Sequence, residues 1–282
     1  MWLISTNSGL HSARPGKARF PMQEAPAVFK KAGFEAMDIN FCAAIYDGEF
    51  KHEPILDGDD YLENVMQVKR ACDENGLAMT ISHLPFYNYE MEDQEKLAFC
   101  NKMTERAIRA SAHIGVQYAV IHPHRCPAKH IKIERTVELL RPFVELGRSL
   151  GVMLCVENMY TVTAEATRMI ADKLDCGICW DVGHANFGGH DQYTGIMTCG
   201  DRLKVLHLHD NNTLTDQHKP PLTGDINWND VMDALDEVGY NGIYNLEISL
   251  RCFGEEMMVE TAEFGIKIFR NFLEQREKKK NA

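Results

Sequence analysis

The chain is 282 residues long, 25% of them charged, with a formal net charge of −11 at pH 7. An acidic surplus of that size works against a surface that coats nucleic acid, which needs Lys and Arg to displace counterions from phosphates, and no apolar run approaches the roughly 20 residues of a membrane span. The opening MWLISTNSGLHSARPG turns polar by Ser5, unlike a secretory leader, so a soluble, cytoplasmic protein is expected, its nine cysteines scattered through apolar segments as reduced core residues.

Short β-branched runs alternate with longer amphipathic stretches along the whole chain. Leu3–Thr6 predicts a strand and is followed by a helical pattern over 23–33. Ala36–Asn40 precedes a helix over 60–75, Ala78–His83 one over 94–114, and Tyr118–His122 one over 132–150. Met153–Glu157 leads into 163–173, Gly177–Asp181 into 191–199, Val205–His207 into 227–238, and Tyr244–Ile248 into 255–276. Gly33, Gly76, Gly115, Gly151 and Gly239 follow helical patterns, where a left-handed cap favours glycine. Eight such units predict an α/β fold, a (β/α)8 TIM barrel forming a single domain over 1–282. An open doubly wound sheet would bring a glycine-rich phosphate turn after its first strand, and Asn7-Ser8-Gly9 is not one. The basic run Arg276–Lys280 reads as a solvated tail after the last helix.

In a barrel the C-terminal ends of the strands converge on one mouth. Four strands end on a potential ligand: Glu157, Asp181, His207 and Glu247. Three carboxylates and an imidazole suit Mn²⁺, Co²⁺, Mg²⁺ or Zn²⁺. His83 and His122 end earlier strands, and His184 lies three residues beyond Asp181 in a strand-to-loop turn. Asp216 and His218 form D-Q-H, which in an extended backbone project to one side. Singly, a strand-end His is more often structural, and a strand-end Asp or Glu is often a helix N-cap or an ion-pair partner. Nine in one mouth point to at least one bound metal, with His83, His122, His184, Asp216 and His218 as ligands for more ions. His83, His122 and His218 serve equally to hydrogen-bond a polyol. Lys219 and Arg251 join His83, His122 and His184 as candidates for contacting substrate hydroxyls, with Phe86, Trp180 or Phe187 as aromatic walls. His52, His113, His130 and His190 receive no role, and His209 is expected to point away from the metal, toward the helices or a neighbouring loop. Cys176 and Cys179 form C-x-x-C in or at the start of a strand rather than at a helix N-terminus, and read as core.

At WDVGHAN, HLHDN, DQHKPPLTGDINW and LEI the chain resembles the xylose isomerase-like TIM-barrel superfamily, particularly its sugar phosphate isomerase/epimerase branch, from about His83 to Glu247. Similarity to the ketose 3-epimerases of that superfamily implies that Glu157, Asp181, His207 and Glu247 hold one divalent metal. It also implies that Glu157 and Glu247 are catalytic, standing on opposite faces of a sugar and exchanging the proton beside its carbonyl through a metal-stabilised cis-enediolate. His184 occupies the position of a substrate-contacting histidine. Those epimerases carry an arginine a few residues after the metal histidine, where this chain has Asn211, Asn212 and Thr213. The ligand set is also similar to that of endonuclease IV, a trinuclear zinc enzyme, at His83, His122, Glu157, Asp181, His184, His207, Asp216, His218 and Glu247. The acidic charge and the lack of a basic, aromatic-studded loop oppose DNA as the substrate. The expected function is therefore a metal-dependent isomerase or epimerase of a sugar, sugar phosphate or polyol. Alternatives are an inosose dehydratase-like lyase, a phosphodiesterase at abasic DNA and a non-catalytic sugar-binding subunit. By analogy with such barrels, a homo-oligomer is expected.

Overall fold

The computed structural model describes residues 2–12, 21–42, 54–123, 132–249 and 257–281. Its strands are β1 (Ile4–Asn7), β2 (Ala36–Asn40), β3 (Ala78–His83), β4 (Tyr118–Ile121), β5 (Met153–Glu157), β6 (Gly177–Asp181), β7 (Leu203–His207) and β8 (Tyr244–Leu246). They form one parallel sheet in the order β7-β6-β5-β4-β3-β2-β1-β8. A parallel bridge between Leu208 and Leu246 closes it, with the Leu208 amide on Asn245 O (2.8 Å) and the Glu247 amide on Leu208 O (3.0 Å). The helices are α1 (Gly9–Ser12), α2 (Ala25–Ala32), α3 (Tyr61–Glu74), α4 (Gln94–His113), α5 (Ile133–Ser149), α6 (Ala164–Leu174), α7 (Val182–Phe187), α8 (Gln192–Cys199), α9 (Trp228–Glu237) and α10 (Met258–Lys280).

Strands buried on both faces explain the near-continuous apolar runs of the sequence. Outward residues such as Ile178, Trp180 and Leu206 join the large core beneath the helices, while Ile81, Val120, Cys155, Cys179 and Val205 form a small core inside the barrel. Burial pushes the Cys176 thiol up to about 12, as befits an inert core residue.

Two elements depart from expectation. Helix α7 follows β6 without a loop, because Asp181 serves as its N-cap, so His184 stands on a helical turn rather than in a strand-to-loop turn. Helix α10 continues through the basic run, which is solvated as expected at Lys278, Lys279 and Lys280 but helical: Arg276 bonds Asp233 (2.5 Å) and Asp236 (3.1 Å) on α9, and Lys280 also pairs with Asp236. No helix among the described residues is long and apolar enough to cross a membrane.

Candidate metal centre

Glu157 and Asp181 end adjacent strands, and Asn158 joins them past the last ladder pair. Its Oδ1 accepts from the Asp181 amide (2.6 Å) and its Nδ2 donates to Asp181 O (2.9 Å). One oxygen of Asp181, Oδ1, accepts from the His184 amide (2.6 Å) as the cap of α7. The other, Oδ2, lies 3.8 Å from His207 Nδ1. The oxygen that caps α7 is thus not the one nearer His207. His207 Nδ1 also stands 2.7 Å from Glu157 Oε1 and 3.4 Å from Glu247 Oε2. Glu247 follows β8 by one residue, and its Oε1 accepts from Asn7 Nδ2 (3.2 Å).

A second tier surrounds this group. His122 Nε2 lies 3.0 Å and His83 Nε2 3.7 Å from Glu157 Oε2, and Phe86 stacks on His122 with ring centroids 3.9 Å apart. His184 donates from Nδ1 to Asn158 O (2.9 Å), with Nε2 3.8 Å from Asp216 Oδ2. His218 donates from Nε2 to Asp216 Oδ2 (3.0 Å), and its Nδ1 lies 2.9 Å from Glu247 O. The D-Q-H stretch is not extended. His218 has φ +49°, and this left-handed turn, not a strand alternation, swings its ring onto Asp216.

Other expectations resolve less favourably. Trp180 is no pocket wall: it is fully buried, packs against Gly195 on α8 and donates to Gln192 (3.1 Å), because neighbouring strand residues face opposite sides and Asp181 faces the mouth. Phe187 is half-buried against Tyr160. Lys219 exchanges backbone hydrogen bonds with Asp210 (2.9 Å each), which places it in the loop after β7. Arg251, His52 and His130 lie outside the described residues. His209 points into the site, not away. Residues two apart in extended chain share a face, and its Nε2 meets Asp181 Oδ2 at 3.1 Å. Asp210, the acid next to it, is spent on structure: it accepts from Trp228 Nε1 (2.8 Å) and the Ile226 amide (3.2 Å), joining HLHDN to GDINW.

The charges of the cluster support one another. Burial raises the Glu157 pKa, but His207 and His122 outweigh that and hold its carboxyl well below the usual range. Burial opposes the charge on His207 as well, yet Glu247 and Glu157 push it up to about 10. His218 is raised to about 9, with burial overcome by Asp216. Burial lowers His122 despite Glu157.

A proton on His207 thus stands where three carboxylates face one another, the place a cation suits. The ligand atoms of Glu157, Asp181, His207 and Glu247 lie within 4.8 Å of one another, near the span of about 4.2 Å between opposite ligands of an ion with bonds of about 2.1 Å. His207 Nε2 is buried without a hydrogen-bond partner, and Glu157 Oε2 is buried facing the imidazoles of His122 and His83. The residues present therefore fit a divalent ion. His83, Glu157 and His207 form a second compact group. A third, His209 with His218 and Glu247, meets the distance condition, but its two rings are stacked 3.9 Å apart at 7°. An ion in the plane of one would lie well out of the plane of the other.

The family described as Xylose isomerase-like TIM barrel matches residues 26–268. The chain is 24% identical over 226 residues to D-psicose 3-epimerase of Ruminiclostridium cellulolyticum, covering 73% of each chain. It is 25% identical over 217 residues to an uncharacterized protein of Methanocaldococcus jannaschii, covering 69% of this chain and 73% of the other. The crystal structure of a D-tagatose 3-epimerase-like protein superposes with a TM-score of 0.73 at 21% identity, covering 98% of both chains.

Proposed function

Since the chain belongs to the xylose isomerase-like TIM barrel family, we propose that it is a divalent-metal-dependent isomerase or epimerase of a small sugar, sugar phosphate or related polyol, moving a proton on the carbon beside a carbonyl. The observation that carries this reading is the meeting of Glu157 from β5 and Glu247 from the end of β8 at one imidazole, 2.7 and 3.4 Å from His207 Nδ1. The similarity to D-psicose 3-epimerase supports a sugar as substrate.

Glu157, Asp181, His207 and Glu247 would hold the ion, which when bound polarises the carbonyl and stabilises the enediolate. The two glutamates act as proton acceptor and donor, one on either face of the reacting carbon. Asn7 holds one oxygen of Glu247, leaving Oε2 turned to the site. His83, His122 and His184 donate to or accept from substrate hydroxyls, Lys219 contributes from the loop after β7, Arg251 is a further candidate by its place in the sequence, and Phe86 on His122 forms a flat apolar wall.

The test is metal quantitation on the purified protein with a solvent-deuterium exchange screen over ketoses and inososes. Glu157→Gln and Glu247→Gln should each reduce exchange by about 10²-fold or more, and full turnover in both would end the two-base mechanism. Release of water from an inosose would make the same proton abstraction that of a lyase. A multinuclear hydrolase is the second reading, favoured by the tight His83–Glu157–His207 and Asp216–His218 groups. Its mark would be more than one ion per chain, with nicking of an abasic duplex that His218→Ala abolishes.

A further inference from the structure

We propose that His209 is a positioning residue for the metal centre, fixing Asp181 so that one oxygen faces the ion, and that Gly183 is there to make room for it. This rests on the reading that Asp181 holds a divalent ion. His209 is fully buried, and its Nε2 lies 3.1 Å from both oxygens of Asp181. A carboxylate only accepts, so Nε2 carries the hydrogen. Oδ1 is already held by the His184 amide at 2.6 Å. The His184 amide thus holds Oδ1 while His209 Nε2 bridges the two oxygens and holds Oδ2 at its second lone pair, which fixes the carboxylate plane with Oδ2 3.8 Å from His207 Nδ1. The imidazole is itself fixed, lying parallel to His218 with centroids 3.9 Å apart.

Gly183 supplies an independent observation. A Cβ there would come 1.8 Å from His209 Cε1 and 2.4 Å from both ring nitrogens, far inside contact distance. Gly183 sits in the first turn of α7, where alanine would otherwise suit the helix better than glycine by about 1 kcal/mol. The missing side chain therefore serves the imidazole and not the helix. Partners that orient a metal ligand are typically worth about 10–100-fold in metal affinity.

The experiment titrates the metal-free full-length chain with Mn²⁺, Co²⁺ and Zn²⁺ separately, alongside circular dichroism to verify folding. His209→Ala should weaken binding about 10–100-fold, while His209→Gln, whose amide can replace the Nε2 donor, should restore most of it. Gly183→Ala should weaken binding by a similar factor without touching a ligand. In the double variant Gly183→Ala/His209→Ala the glycine substitution should add no further loss, since the methyl enters space the imidazole has left. Affinity of His209→Ala within twofold of the parent, or penalties that multiply in the double variant, would overturn the proposal while leaving the metal centre itself standing. If His209→Ala does not fold, His209→Gln and Gly183→Ala decide, and an unchanged affinity in Gly183→Ala sinks the idea. A parent chain that binds none of the three ions ends both this inference and the metal reading.

Discussion

Asn7 shows how one side chain sets the orientation of another. Its Oδ1 accepts from the Gly9 amide (2.6 Å) and from Asn40 Nδ2 (2.9 Å), so its Nδ2 must face Glu247 Oε1 (3.2 Å) and, more distantly, Asp38 Oδ2 (3.5 Å). A donor fixed in this way holds Oε1 and leaves Oε2 facing His207. Because a hydrogen bond to a charged group contributes about 1.5–3 kcal/mol, Asn7→Ala should lower kcat roughly tenfold or more once a substrate is found, with the fold retained by circular dichroism. Unchanged kcat would mean that Glu247 needs no such support. The strand-end acids and histidines were legible in sequence because each closes an apolar run. Asp38 and Asn245 were not, since each stands in the middle of its strand and closes no apolar run. His209 faces the site because it lies two residues past His207 in extended chain, against the expectation that it points away.

Among the elements, β6 and α7 carry the most for the site. The β6–α7 junction converts a strand end into a helix cap, so a hydrogen bond of 2.6 Å ties His184 to Asp181. Behind them Trp180 presses on α8, where a Cβ on Gly195 would fall 2.3 Å from its ring. Trp180 is fully buried and anchored by Gln192, so the ring cannot yield. Gly195→Ala should therefore destabilise the protein by about 1–3 kcal/mol, the usual cost of overpacking, despite the better helix propensity of alanine. Denaturant unfolding measures this, and a stabilised variant would show that the helix can shift. The strands and most helices were legible because their apolar periods differ. Helix α7 was hidden because six residues are too few to display a period of 3.6.

Across the whole molecule, positively charged imidazoles hold together a mouth rich in carboxylates. The pKa values of His218 and His207, raised from 6.5 to about 9 and about 10, mean that the native state binds these protons more tightly than the unfolded chain. Their stabilisation is complete below about pH 6.5 and is lost as the pH rises through those values. The Tm of the metal-free chain should fall between pH 7 and 10, and less so with a divalent ion bound in place of the His207 proton. A Tm that is flat over that range would contradict the assignment. Metal binding near pH 7 should release protons, detectable as a dependence of the calorimetric heat on buffer. An ion at about 100 times its Kd adds about 2.7 kcal/mol, or roughly 5 °C in Tm for a chain of this size.

From the sequence alone came the alternation of strand and helix, hence the barrel, and the nine ligand-type side chains at the strand ends and in the loops after them, because both are consequences of local period and of where apolar runs stop. Tertiary structure decided which atoms face one another. It brought Glu157, Asp181, His207 and Glu247 to a single point, turned His218 inward through a left-handed residue and seated His209 in the space left by Gly183. Those outcomes depend on barrel closure and on contacts between residues far apart in the chain, for which no local pattern of residues is diagnostic.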